Sequence, residues 1–166
     1  MSHWSFRGRL PIMELLDLLT ERSIIPALKA KTKKQALHEL AELGSTVTGC
    51  PMRDIHEGLM QRERLGSTGL GGGIAIPHAK FKGLERIHCL FARLDRPIDF
   101  ESLDNEPVDL IFVLLAPEHA SGDHLKALAR ISRFLREPKA LDRLRATRER
   151  KVLFAILTQP ATSHAA

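Results

Sequence analysis

Three side chains of this 166-residue chain could act together on an anionic group: His78, Arg62 and His124. His78 closes the segment "GSTGLGGGIAIPH", in which five of the chain's eleven glycines fall between Gly66 and Gly73. Glycine-rich turns can turn backbone N–H groups toward phosphate because no Cβ stands in the way. Pro77 fixes its own φ and biases Ile76 toward extended backbone, so His78 is carried on stiff chain. An imidazole presented in that way suits a nucleophile for an anionic group. The same spacing also suits a histidine satisfied beside a long turn. Arg62 ends the stretch just ahead of the glycines, and its planar fork can bind phosphoryl oxygens in pairs. His124 falls at the start of an expected helix, where free N–H groups and the helix dipole favour an anion and where Ser121 or Asp123 can cap. Taken one at a time, Arg62 and His124 read equally as ordinary surface residues.

Several chemistries are excluded by spacing. The P-loop ends in Gly-Lys-Ser/Thr, and no lysine follows Gly71, Gly72 or Gly73. The dinucleotide fingerprint requires a third glycine where Ile74 stands, and a strand rather than a helix before it. The eight histidines form no His-Glu-x-x-His or Cys/His ligand pattern, so no metal site is expected. Cys50 and Cys89 are too few for a disulfide framework, which points to a reduced cytoplasm.

The elements that must position these residues follow from periodicity. A helix is expected over Ile12–Leu19 and an edge strand over Ser23–Leu28, Pro26 keeping it from the sheet centre. Thr32 caps the next helix, with Gln35 completing a capping box, and Ala36, Leu37, Leu40, Ala41 and Leu43 forming its apolar stripe. A second helix begins near Pro51, buries Ile55, Leu59 and Met60, and stops at Gly66. Ile74 and Ile76, two apart, anchor the segment before His78 as a strand. Ile87–Leu94 alternates as a strand, and "PVDLIFVLLAP" reads as a central strand covered on both faces. A helix from about Asp123 is expected to pack Leu125, Leu128, Ala129, Ile131 and Leu135 inward. Helices near Ala140–Arg145 and Arg148–Thr158 finish an α/β sandwich.

Composition sets outer bounds. Hydrophobic residues make up 43% and charged residues 27%, which describes one globular domain, and no apolar run is long enough to span a bilayer. The N-terminus lacks the apolar stretch of a secretion signal. The net charge is +5, and Arg130–Lys151 carries nine Lys/Arg against Glu137, Asp142 and Glu149. That stretch is either a solvated helix face or a nucleic-acid-binding module.

The combination "QRERLGSTGLGGGIAIPHAK" resembles the active-site segment of enzyme IIA proteins of the bacterial phosphoenolpyruvate-dependent phosphotransferase system, in the mannitol/fructose-type superfamily and its nitrogen-regulatory branch. "TKKQALHELAEL", "DNEPVDLIFVLLAP" and "HLKALARISRFLRE" agree, so the likeness covers roughly Met13–Thr158. It implies a three-layer α/β/α sandwich with a mixed central sheet and one IIA domain over residues 12–159; outside the likeness, residues 1–11 read as a flexible arm and 160–166 as a disordered tail. It implies that His78 is phosphorylated on Nε2 by an HPr-like carrier, that Arg62 and His124 stabilise the phosphoryl group, and that backbone N–H groups of Gly71, Gly72 and Gly73 assist. No metal or nucleotide cofactor is implied, nor nucleic-acid binding or membrane insertion, and the setting is cytoplasmic. Nitrogen-type members mostly regulate other proteins by phosphorylation state, potassium-transport regulators among them, whereas sugar-type members hand phosphate to a IIB domain. Ala79 stands where many members have glycine, and His119 matches no functional residue of the family.

Overall fold

The computed structural model describes residues 13–119 and 121–160. The arm expected over 1–11, the first residue of the first expected helix, and residues 161–166 of the expected tail lie outside them. Six strands form one mixed sheet: β1 Ile24–Leu28, β2 Gly69–Gly71, β3 Ile74–Ala75, β4 His78–Phe81, β5 His88–Ile98 and β6 Val108–Pro117. Among the described residues, five α-helices accompany them: α1 Lys33–Thr48, α2 Met52–Arg64, α3 Ser121–Leu135, α4 Pro138–Ala146 and α5 Arg150–Leu157.

The order across the sheet is β1-β5-β6-β3-β2, and β4 also pairs with β6. β5 and β6 run antiparallel, whereas β1 is parallel to β5, and β3 and β4 are parallel to β6. β3 and β4 therefore form one interrupted neighbour of β6. Ile74 and Ala75 pair with Leu110 and Ile111, and His78 pairs with Leu114, with Pro77 marking the break between.

β6 is buried on both faces because its alternate side chains enter two different cores. Leu110, Phe112, Leu114 and Ala116 pack with Ile131, Phe134, Leu144 and Leu153 from α3, α4 and α5. Val108, Ile111, Val113 and Leu115 pack with Leu37, Leu40, Ile55 and Leu59 from α1 and α2. The expected three-layer sandwich is the observed one. β1 keeps Pro26 on the edge of the sheet, where a missing N–H costs no ladder bond.

Local signals are met with small departures. Thr32 Oγ1 accepts the Gln35 N–H, but Gln35 Oε1 reaches past Thr32 to accept from the Lys31 N–H. The described part of the first expected helix, residues 13–19, holds only a single 3-10 turn, Leu15–Asp17. On α3 the buried stripe is rotated by one position: His124, Ala127, Ile131 and Phe134 are buried, Leu128 and Leu135 are half-buried, and Leu125 and Ala129 face out. The polar His124 takes the inward place that hydrophobicity assigned to Leu125. Arg130 is also buried on this face, where its guanidinium donates to Glu14 Oε2 and to the Gln159 carbonyl.

Candidate functional site

His78 begins β4, where the chain leaves Pro77 and pairs with the end of β6. Its Nδ1 lies 2.8 Å from the Ile76 carbonyl oxygen. A carbonyl can only accept, so Nδ1 carries the proton and Nε2 keeps its lone pair. Arg62 supplies the matching donor: its Nε lies 3.4 Å from His78 Nε2, and its Nη1 donates to the Gly66 carbonyl at 3.0 Å.

Arg62 reaches His78 because α2 lies unusually close to β4. At Gly58 a Cβ would stand 2.5 Å from the Phe81 ring, so only glycine permits this approach. A glycine inside a helical pattern, as Gly58 is here, is the sequence signal for such close packing. Ile55 and Leu59 hold the helix to the core, which leaves Arg62 in the last turn above the strand.

His124 comes from the other helical layer, in the first turn of α3. Its ring meets that of His78 edge-to-face, with centroids 5.3 Å apart. Burial, followed by the charges of His78 and Lys80, pushes the His124 pKa below the usual histidine value, so it is neutral at neutral pH. Its Nδ1 is buried without a hydrogen-bond partner among the described residues.

These three residues line one open cavity of about 850 Å³ together with Gly58, Gln61, Arg64, Leu65, Ala79, Lys80 and Leu125. Arg62, Arg64 and Lys80 make it cationic, and Leu65 and Leu125 give it an exposed apolar rim. Such a site can take an anionic group onto a neutral imidazole nitrogen, with a planar cation in bonding range.

Gly71, Gly72 and Gly73 are placed elsewhere, and none of them lines the cavity. They make the β2–β3 turn, with φ of 97°, 65° and 82°, which is left-handed backbone that other residues rarely adopt. The Gly72 N–H donates to Asp104 Oδ2, while the Gly73 carbonyl accepts from the Asp109 and Leu110 N–H groups. An N–H already given to a carboxylate does not face an incoming phosphate. All three glycines thus lie outside the cavity lining, where they turn the chain so that β3 can enter the sheet.

The basic late stretch is likewise largely committed inside the fold. Arg145 pairs with Asp109, Arg148 with Asp95 and Arg130 with Glu14, while Arg143 bonds Gln159 and Arg150 the Ile24 carbonyl. Five of the nine cations that suggested a nucleic-acid face thus have intramolecular partners. Among the described residues, no helix is long and apolar enough to cross a membrane.

The fold and site together define an α/β sandwich domain whose mixed sheet presents a histidine at a strand start to an arginine and a second histidine. Residues 17–159 match the family described as "Phosphoenolpyruvate-dependent sugar phosphotransferase system, EIIA 2", and the chain belongs to it. Within that family it stands with the nitrogen-regulatory members. A "Nitrogen regulatory protein" of Bradyrhizobium diazoefficiens is 53% identical over 153 residues, 92% of this chain and all of that protein. The "Nitrogen regulatory protein" of Escherichia coli K12 is 35% identical over 147 residues, 88% of this chain and 90% of that one. Among solved structures, the nitrogen regulatory protein IIA-Ntr from Neisseria meningitidis superposes with a TM-score of 0.81 at 34% identity, over 86% of this chain and 97% of that one.

Proposed function

We propose that this protein is a phosphocarrier regulator: His78 Nε2 accepts a phosphoryl group from a phosphohistidine carrier of the HPr type, and partner proteins respond to the resulting charge. The observation that carries the reading is the pair of bonds on one ring. Nδ1–H is held by the Ile76 carbonyl while Nε2, unprotonated, faces the cavity and the Arg62 guanidinium.

The N–P bond of the carrier breaks as the Nε2–P bond forms, and the carrier imidazole leaves with the electron pair. His78 needs no base, since its attacking nitrogen carries no proton. Positive charge that develops on the ring is shared with the Ile76 carbonyl through Nδ1–H. Arg62 moves its donation from Nε2 to the phosphoryl oxygens. His124, neutral and with Nδ1 buried, has Nε2 left to donate to the same group. Positioning and charge stabilisation are what phosphoryl transfer chiefly requires. The glycine turn has no part in this step.

The phosphorylated site exchanges a cationic cavity edged by Arg62, Arg64 and Lys80 for one carrying added negative charge, and that change can select partners by electrostatic complementarity. Potassium-transport regulators are one such class, and a cytoplasmic setting follows from the same relay. Intact mass after incubation with phosphoenolpyruvate, enzyme I and an HPr-type carrier tests the proposal. An acid-labile gain of one phosphoryl group, absent in His78→Ala, supports it; no gain with active upstream proteins overturns it. Transfer onward to a IIB domain would instead identify a sugar-type member.

A further inference from the structure

Below the cavity, on no surface and outside the residues that line it, Glu63 is buried with its side chain only 3% exposed. It directly follows Arg62 on α2, so the two side chains leave the same helical turn in different directions. Its carboxylate is paired with Lys33 Nζ of α1 at 2.6 Å. The same carboxylate accepts from both donors of Thr68: the backbone N–H, at 3.2 and 3.3 Å to the two oxygens, and the Oγ1 hydroxyl. Thr68 is itself buried.

From Thr68 a chain of bonds leads to the nucleophile. The Thr68 carbonyl accepts the Ile76 N–H at 3.0 Å, and the Ile76 carbonyl accepts the His78 Nδ1–H at 2.8 Å. A single helical turn therefore fixes both halves of the reacting pair. Arg62 bonds His78 Nε2 from above, while Glu63 holds the strand segment whose far end bonds His78 Nδ1.

We propose that Glu63, clamped by Lys33 and acting through Thr68, is the positioning residue that sets the tautomer and aim of His78 relative to Arg62. A buried carboxylate with a cation and two hydrogen-bond donors is stiff, because each remaining lone pair has a partner and any shift leaves a charge uncompensated. The Ile76 carbonyl is then held in place to bond Nδ1 and keep Nε2 unprotonated. No group of the clamp touches the incoming phosphate, and the exposed surface that a carrier would dock on is untouched by it. Loss of the clamp lowers the fraction of correctly aimed His78 rather than the affinity for the carrier.

The proposal rests on His78 as phosphoryl acceptor for its kinetic arm only; its spectroscopic arm is independent of that reading. Thr68→Val keeps the β-branched shape and the N–H but removes the hydroxyl, Thr68→Ser restores it, and Glu63→Gln removes the charge. Two-dimensional ¹H–¹⁵N spectra of the His78 ring report its tautomer and pKa in the free protein. The expected result is a larger Nε2–H fraction in Thr68→Val and Glu63→Gln. With it comes a roughly ten- to hundredfold lower kcat for phosphoryl acceptance at a carrier KM within about twofold. Thr68→Ser should return both readouts to the wild-type values. Should Glu63→Gln fail to fold once Lys33 loses the Glu63 charge, Thr68→Val decides alone. Wild-type ring spectra and kcat in folded Thr68→Val overturn the proposal, as does a change confined to KM. If the wild-type protein takes no phosphoryl group, the phosphocarrier reading fails while the ring spectra still decide the clamp.

Discussion

Arg62 Nε stands 3.4 Å from His78 Nε2, in line to donate to the nitrogen that the Ile76 carbonyl leaves unprotonated. The contact is long for a hydrogen bond between nitrogens, which suits the proposed exchange of this acceptor for phosphoryl oxygens. Arg62→Ala should therefore slow phosphorylation of His78 by roughly 10²–10³, the usual loss when one preorganised donor to a developing anion is removed. Arg62→Lys should recover only part of the rate, since an ammonium keeps the charge but not the planar fork. Time-resolved intact mass with saturating phosphorylated carrier measures both. A rate for Arg62→Ala within about threefold of wild type would remove the arginine from the mechanism.

The glycine turn provides a contrast. At Gly72 the backbone has φ 65° with open space around the missing Cβ, so Gly72→Ala should cost about 1–2 kcal/mol, the strain of left-handed backbone alone. At Gly73 an added Cβ would also meet Arg145 Nη2 and Asp109 Oδ1, each at 2.8 Å, and would push apart the pair that pins the turn. Gly73→Ala should be the more destabilising of the two in urea unfolding. Neither should change the phosphorylation rate of the folded protein. A stable Gly72→Ala that no longer accepts phosphate would return the turn to the site.

How these residues come together was only partly legible in the sequence. Pro77 and the spacing of Ile74 and Ile76 point to a rigidly held His78, and the doubly covered β6 is plain from its uninterrupted apolar run. Hydrophobicity misplaces α3 by one residue, because it cannot know that His124 is held inward against His78 while Leu125 stays at the cavity rim. β2, β3 and β4 are too short to carry a period of their own; they exist because β6 offers them an edge. Glu63 looks like one more charge in "QRERLG", and only the fold reveals that it is buried between Lys33 and Thr68. The glycines advertise an anion site, but the chain uses them for a turn.

Acid should weaken the fold. His124 is pushed below the ordinary histidine pKa by burial, then by His78 and Lys80; His88 by burial, then by Arg86; and His56 by burial, then by His38 and Lys34, against weaker opposing effects. With the folded pKa below the unfolded value of about 6.5, the unfolded chain binds more protons in this range. Stability is then full above pH 6.5, falls as the pH drops through that value, and levels off below the folded pKa values. The thermal midpoint should decline between pH 7.5 and 5.5, and His88→Gln, at a residue that does not line the cavity, should flatten the decline. An unchanged slope in that variant would assign the acid sensitivity to other groups.

The cavity rim should govern encounter rather than chemistry. Leu65 is 85% exposed and Leu125 67% exposed, on opposite helical layers, with Arg62, Arg64 and Lys80 between them. Apolar side chains left in water beside a cationic site suit a partner that buries them while presenting its own anionic phosphoryl group. A buried leucine contributes about 1.5–3 kcal/mol, so Leu65→Asp and Leu125→Asp should each raise the KM for phosphorylated carrier roughly tenfold or more. The introduced carboxylate adds repulsion from the phosphoryl group to the lost burial, and that part should shrink as salt is raised. The kcat should hold, because neither leucine bonds His78, and the thermal midpoint should hold, because neither is packed in the core. Steady-state transfer from carrier to protein at two salt concentrations separates these effects. A fall in kcat at unchanged KM would move the leucines from the docking rim into the positioning of His78.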